Sequence, residues 1–109
     1  MKEILHGGTV VSGSGTCQAD ILIDGENIAA VGGSAAIAAA AGAGTPVTDV
    51  SGCLLLPGFI DCHTHLDLSV AGTVTADDFA TGTRAALRGG TTTLVDFATQ
   101  YVGETLAQG

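Results

Sequence analysis

The stretch Leu56-Pro57-Gly58-Phe59-Ile60-Asp61-Cys62-His63-Thr64-His65 decides how the rest of the chain is read. Pro57-Gly58 punctuates the backbone, and Phe59 to His65 predicts a short strand. Side chains alternate faces along a strand, so Asp61, His63 and His65 point one way while Ile60, Cys62 and Thr64 point the other. Same-face Cα atoms two residues apart are separated by about 6.6 Å, which lets both imidazoles converge on one cation at Zn–N distances of about 2.0–2.1 Å. His63 and His65 are therefore a candidate metal half-site. A zinc centre takes at least three protein ligands, so the others must come from elsewhere.

A bare His-x-His is a short motif, and two ordinary histidines on an exposed strand give the same pattern. Context favours chemistry, because the pair sits at the C-terminal end of an apolar strand entering a βα loop, where α/β barrels hold their active sites. A structural zinc built from Cys53, Cys62, His63 and His65 is disfavoured. Cys62 faces away from both histidines in a regular strand, and neither cysteine belongs to a Cys-x-x-Cys pair.

Downstream, a Gly-containing loop spans Leu66 to Val74 and a helix follows. Thr75 reads as its N-cap with Asp78 three residues on, Asp77 and Asp78 lie at the positive end of the dipole, Arg84 and Arg88 at the negative end, and Gly89-Gly90 closes it. Phe79, Thr83, Ala86 and Leu87 fall at helical spacing and are expected to face a sheet as core. A second apolar strand runs from Thr92 to Phe97. Strand, loop, helix and strand of these lengths make a βαβ unit, which implies a parallel sheet and a right-handed crossover. Asp96 reads either as an acceptor that supports a metal ligand or as a plain strand-end carboxylate. Glu104-Thr105-Leu106-Ala107 reads as the start of another helix, and a domain rarely stops there, so the expectation is a piece of a longer α/β protein.

Upstream, Glu3 to Val11 and Ala19 to Ile23 read as short antiparallel strands, and Asp24-Gly25 between Ile21-Leu22-Ile23 and Ile28-Ala29-Ala30-Val31 is a hairpin signal. Ser34 to Gly44 reads as one or two helical turns serving as a connector. Pro46 to Val50 and Cys53 to Leu56 read as two more strands split by Ser51-Gly52. His6 is expected to be an exposed strand residue. Asp20, Asp24, Glu26 and Asn27 lack the spacing of a calcium loop and are expected to form a solvated turn.

Composition narrows the function classes. The 109 residues include 11 acidic and only 3 basic side chains, for a formal net charge of -8. Lys2, Arg84 and Arg88 are too few for a nucleic-acid footprint or a polybasic membrane anchor. With 46% hydrophobic and 13% charged residues the chain is not of disordered type. No apolar run approaches the ~20 residues that cross a bilayer, and Met1 to Gly8 is not built like a secretory signal, so a cytoplasmic soluble protein is expected. Cys17, Cys53 and Cys62 do not form a disulfide framework.

The Pro57 to His65 stretch resembles the P-G-x-I-D-x-H-x-H signature of the metal-dependent amidohydrolase superfamily. The likeness continues through Leu66-Asp67, Gly72 to Phe79, Thr81 to Ala86, and Gly89-Gly90-Thr91-Thr92-Thr93 to Asp96-Phe97. This longer run resembles the hydantoinase and dihydropyrimidinase branch, whereas the signature alone is shared with dihydroorotases, allantoinases and deaminases. The resemblance implies an α/β fold: a partial β-sandwich over 1–56, then the start of a TIM-type (β/α)₈ barrel over 57–109, truncated after one βα unit and a second strand. It implies a metal-dependent hydrolase that opens cyclic amide rings of hydantoin or dihydropyrimidine type by metal-activated hydroxide. His63 and His65 would bind the more buried of two divalent ions, usually zinc. A carboxylated lysine, two further histidines and a proton-shuttling aspartate complete that family's centre, and none has a counterpart here, since Lys2 and His6 lie outside the barrel part.

The loop Leu66 to Thr73 would overhang the pocket, with Leu68-Ser69-Val70-Ala71 where relatives often carry a proline and an aromatic residue. The resemblance further implies a small-molecule cyclic amide as partner, no nucleic acid or membrane, and a homo-oligomer, typically a tetramer. A full barrel takes about 250 residues, so the 109 residues alone are expected to be inactive. Two other classes stay open: a non-catalytic scaffold related to dihydropyrimidinase, and a free-standing β-rich binding module.

Overall fold

A computed structural model describes residues 1–108. The chain divides into two compact units, Met1–Pro57 and Gly58–Gly109.

In the first unit the order is β1 (Lys2–His6), β2 (Thr9–Ser12), β3 (Gly15–Gln18), β4 (Asp20–Asp24), β5 (Asn27–Gly32), α1 (Ser34–Ala41), β6 (Val47–Asp49) and β7 (Leu54–Leu55). They form a four-stranded sheet, β5-β4-β1-β6, and a three-stranded sheet, β3-β2-β7. The Asp24-Gly25 signal is realised as an antiparallel β4–β5 hairpin, with Gly25 at φ 62° at the first loop position, where two-residue hairpins favour glycine. The strands are not all antiparallel, however. β6 runs parallel to β1 and β7 parallel to β2, pairings between segments some 45 residues apart that no local pattern encodes.

The long strand expected from Glu3 to Val11 is broken at Gly7-Gly8, where the chain leaves one sheet for the other. Gly7 adopts φ +82°, and a Cβ there would press on Ser51 Oγ. The second crossing, Val50 to Cys53, runs beside the first: Val50 N–H donates to His6 O and Thr9 N–H to Cys53 O, both at 2.9 Å.

α1 does more than connect. Its Ile37 and Ala41 pack with Ile4 and Leu22 in the buried core of this unit, so the Ala-rich helix covers one face of the larger sheet. The Lys2 ammonium donates to the carbonyls of Ala40 and Ala41, which satisfies part of a helix C-terminus that has no basic residue of its own.

The expected solvated turn holds for Asp24, Glu26 and Asn27 but not for Asp20, which is only 4% exposed. Its carboxylate accepts from His6 Nδ1 at 2.9 Å and from the Gly7 N–H at 3.0 Å, so it clasps the first sheet crossing. The hydrogen bond to Asp20, reinforced by its charge, raises the His6 pKa, and the same bond lowers that of Asp20. The raised imidazole contributes stability fully below its ordinary value of about 6.5, lost as pH rises through the folded value. The depressed carboxyl contributes above about 3.9, lost as pH falls through the folded value. In thermal melts, the destabilisation caused by His6→Gln should accordingly be greatest between about pH 4 and 6.5 and shrink on both sides. A pH-independent difference would show that the clasp carries no charge.

In the second unit the order is β8 (Phe59–Thr64), β9 (Ser69–Val70), β10 (Thr73–Val74), α2 (Phe79–Arg88) and β11 (Thr91–Asp96). β8 and β11 pair in parallel, joined through α2, as the βαβ reading expects. β9 and β10 form a small antiparallel ribbon inside the loop.

The helix begins three residues later than Thr75 predicts. Asp78 is the N-cap, and it exchanges bonds with Thr81: Thr81 N–H donates to Asp78 Oδ1 at 2.7 Å, and Asp78 N–H to Thr81 Oγ1 at 3.1 Å. This reciprocal box satisfies two backbone donors at once, which a lone Thr75 cannot do. Thr75 instead clamps the loop, its hydroxyl accepting from Leu68 N–H at 2.9 Å. Asp78→Ala should shorten the helix at its first turn, read as faster amide exchange at Thr81 and Gly82 with Leu87 unchanged.

Phe79 and Leu87, expected as core, are 56% and 63% exposed. With Leu66, Thr83, Ala86 and Leu94 they line a cavity of about 340 Å³ between α2 and β11, because a two-stranded sheet is too narrow to cover the helix stripe. The expected helix at Glu104 to Ala107 is absent among the described residues; two turns occupy that stretch, closed by Glu104 N–H to Tyr101 O and Gln108 N–H to Thr105 O.

Candidate functional site

The C-terminal end of β8 is held against β11 by three bonds. Thr64 Oγ1 donates to Val95 O at 3.2 Å, Phe97 N–H to Thr64 O at 3.2 Å, and Leu66 N–H to Asp96 Oδ1 at 3.1 Å. They bracket His65 and fix the point at which the strand becomes loop.

β8 is not regular. Its register against β11 shifts between Asp61 and Thr64, which pair with Leu94 and Asp96. Three steps on one strand oppose two on the other, the signature of a bulge, which re-aims side chains near a strand end. His63 lies in that bulge, and His65 lies one residue beyond the strand.

The two imidazoles nevertheless converge. His63 Nε2 and His65 Nε2 are 3.2 Å apart, and the rings are 5.1 Å apart and inclined at 76°. Two ring nitrogens at this distance need a proton or a cation between their lone pairs. A tetrahedral zinc with bonds of about 2.0–2.1 Å would set the same two atoms roughly 3.3–3.4 Å apart, so the donors fit a divalent metal in kind and in spacing.

The neighbouring carboxylates do not join them. Asp61 Oδ1 accepts from the His63 backbone N–H at 3.1 Å, and Asp96 accepts from Leu66 N–H, so Asp96 supports the loop backbone and neither imidazole. Among the described residues no three His, Cys, Asp or Glu side chains gather as a metal site, and within the second unit Cys62 does not join the two histidines. Lys2 is engaged with α1 and His6 with Asp20.

A residue that residue-by-residue reading did not single out stands beside the pair. The Phe97 ring lies 4.6 Å from His63 and 5.3 Å from His65. The apolar strand Thr92 to Phe97 was the available signal, but strand pattern alone does not tell which neighbour its last residue touches. Phe97 also lines a cavity of about 410 Å³ whose apolar side is Leu66, Leu68 and Phe79 and whose polar side includes the carboxylates of Asp67 and Asp96. The Tyr101 hydroxyl donates to Ser69 O and ties the ribbon to the cavity's far wall.

The model of the amidohydrolase family matches residues 54–108, the stretch that contains β8, the histidine pair, α2 and β11. The chain belongs to the amidohydrolase family. Within it, the chain is 44% identical to a D-hydantoinase of Streptomyces coelicolor over 108 residues, 99% of this chain and 23% of that protein. It is 37% identical to a dihydropyrimidinase of Rattus norvegicus over 107 residues, 98% of this chain and 21% of that protein. The crystal structure of a dihydropyrimidinase from Brevibacillus agri superposes with a TM-score of 0.87 at 49% identity, covering 99% of this chain and 22% of that one. This amidohydrolase chain thus spans roughly a fifth of the length of the curated relatives it matches. None of the helices among the described residues is long and apolar enough to cross a membrane.

Proposed function

We propose that these residues act as the N-terminal part of a metal-dependent cyclic amidohydrolase that opens hydantoin or dihydropyrimidine rings to N-carbamoyl acids. The observation that carries the reading is the convergence of His63 Nε2 and His65 Nε2 at the loop end of β8. The hydantoinase and dihydropyrimidinase relatives support the substrate class. In this reading residues 1–56 belong to an accessory β-sandwich, and 57–109 open a (β/α)₈ barrel whose later strands supply the remaining ligands. Those are a second metal's donors, a carboxylated lysine and the proton-shuttling aspartate.

His63 and His65 would hold one metal through Nε2, with zinc the ion their chemistry and spacing suit. When bound, such a metal supplies Lewis-acid polarisation of the ring carbonyl and hydroxide near neutral pH. The chain's own residues do the rest of the local work. Asp61 and Asp96 fix the backbone on either side of the pair, so the imidazoles are presented at a set point of the strand end. Leu66, Leu68, Phe79 and Phe97 offer an apolar wall for the substrate's exocyclic group and exclude water from that side. Leu68 and Ser69 at the start of the ribbon contribute small side chains to that wall, which suits bulky 5-substituents.

A cytoplasmic setting, to which three free cysteines are suited, and a homotetramer complete the proposal. The test is to assay the whole protein for ring opening of dihydrouracil and of 5-monosubstituted hydantoins, with metal content measured on the same sample. Turnover with bound metal supports the reading. A metal-free, inactive but folded oligomer would replace it with the scaffold alternative.

A further inference from the structure

Metal-binding histidines are ordinarily oriented by a hydrogen bond from the second ring nitrogen to a carboxylate or carbonyl. Neither His63 nor His65 has such a partner among the described residues; each ring's one hydrogen-bond contact is the other's Nε2. Nor does intrinsic torsional preference fix them, because the outer torsion of a histidine is broad. Among the described residues, ring packing is what bears on where the two Nε2 atoms point.

Phe97 is placed to do so. Its plane is inclined 39° to each imidazole, while the imidazoles are inclined 76° to one another, so the phenyl ring packs beside both at an intermediate tilt. Its backbone is pinned to Thr64, the residue between the two histidines, by the bond from Phe97 N–H to Thr64 O. Tilting either imidazole out of this arrangement would give up its contact with the phenyl face. We infer that Phe97 is a positioning residue that holds the rings of His63 and His65 with their Nε2 lone pairs convergent. Because the same ring lines the 410 Å³ cavity, it also links the donor pair to the wall where the substrate's apolar group would rest. The metal and substrate parts of this inference rest on the proposed function; the ring packing does not.

The experiment compares Phe97→Leu, which keeps apolar bulk without a ring, and Phe97→Tyr, which keeps the ring, in the whole protein labelled with ring-¹³C histidine. In the metal-free form, the His63 and His65 ring-proton resonances should lose their ring-current displacement in Phe97→Leu and keep it in Phe97→Tyr. Co²⁺ affinity should fall roughly 10-fold in Phe97→Leu and stay near wild type in Phe97→Tyr, in the range that loss of an orienting partner produces. Unmoved histidine resonances together with wild-type Co²⁺ affinity in Phe97→Leu would overturn the inference. Wild-type protein that takes up no Co²⁺ would instead overturn the metal reading of the histidine pair, leaving the resonance comparison to decide the packing role.

Discussion

Alanine at His63 is expected to strip the protein of metal and reduce ring opening to background. The argument is one of donor number. His63 and His65 are the two donors these residues bring together, and either removal leaves a single imidazole where a chelating pair stood. Loss of an outer-shell partner alone costs roughly 10–100-fold in metal affinity, so loss of a ligand should cost at least about 100-fold. His65→Ala should match it. Cys62→Ala, a change of similar size between the two histidines, should leave metal content and turnover within a few-fold of wild type. Titration with Co²⁺ and elemental analysis check all three variants, and full metal occupancy in His63→Ala would remove this residue from the centre.

Leu22→Ala carries the largest expected effect on stability. Leu22 is 3% exposed on β4 and packs with Ile4, Ile37 and Ala41, a core of so few residues that no neighbour can refill the space. Truncating a buried leucine costs about 2–5 kcal/mol, and the upper half of that range is expected where surrounding β-sheet cannot collapse. Urea unfolding followed by amide exchange in β1 and β4 measures it. A loss below about 1 kcal/mol would mean that α1 does not seal the sheet as described.

The parts of the fold legible in the sequence are those written in local pattern. The β4–β5 hairpin is announced by Asp24-Gly25, α1 by its alanines between Ser34 and Gly42, and the β8–α2–β11 unit by two apolar runs around a helix closed at Gly89-Gly90. What escaped is non-local. The parallel pairing of β6 with β1, and of β7 with β2, depends on segments meeting after long excursions. Asp20 reads as a turn residue because its neighbours are acidic, and only the fold brings His6 and Gly7 onto its carboxylate. Thr75 and Asp78 are both good caps on paper; the choice went to the one whose third residue on, Thr81, could reciprocate.

The site divides in the same way. The His63 and His65 pairing follows from strand parity, although the strand reaches it through a bulge that parity does not foresee. Phe97 follows a different strand, and its place beside both rings depends on the register of β11 against β8.

α2 holds both arginines of the chain, Arg84 and Arg88, and the sole lysine is Lys2. Trypsin therefore has no substrate bond between residue 2 and the middle of that helix. Since cleavage needs the local chain to open, the time course of cuts at Arg84 and Arg88 becomes a clock for α2. It runs faster when Asp78 is lost, whereas cleavage after Lys2 reports the opening of β1.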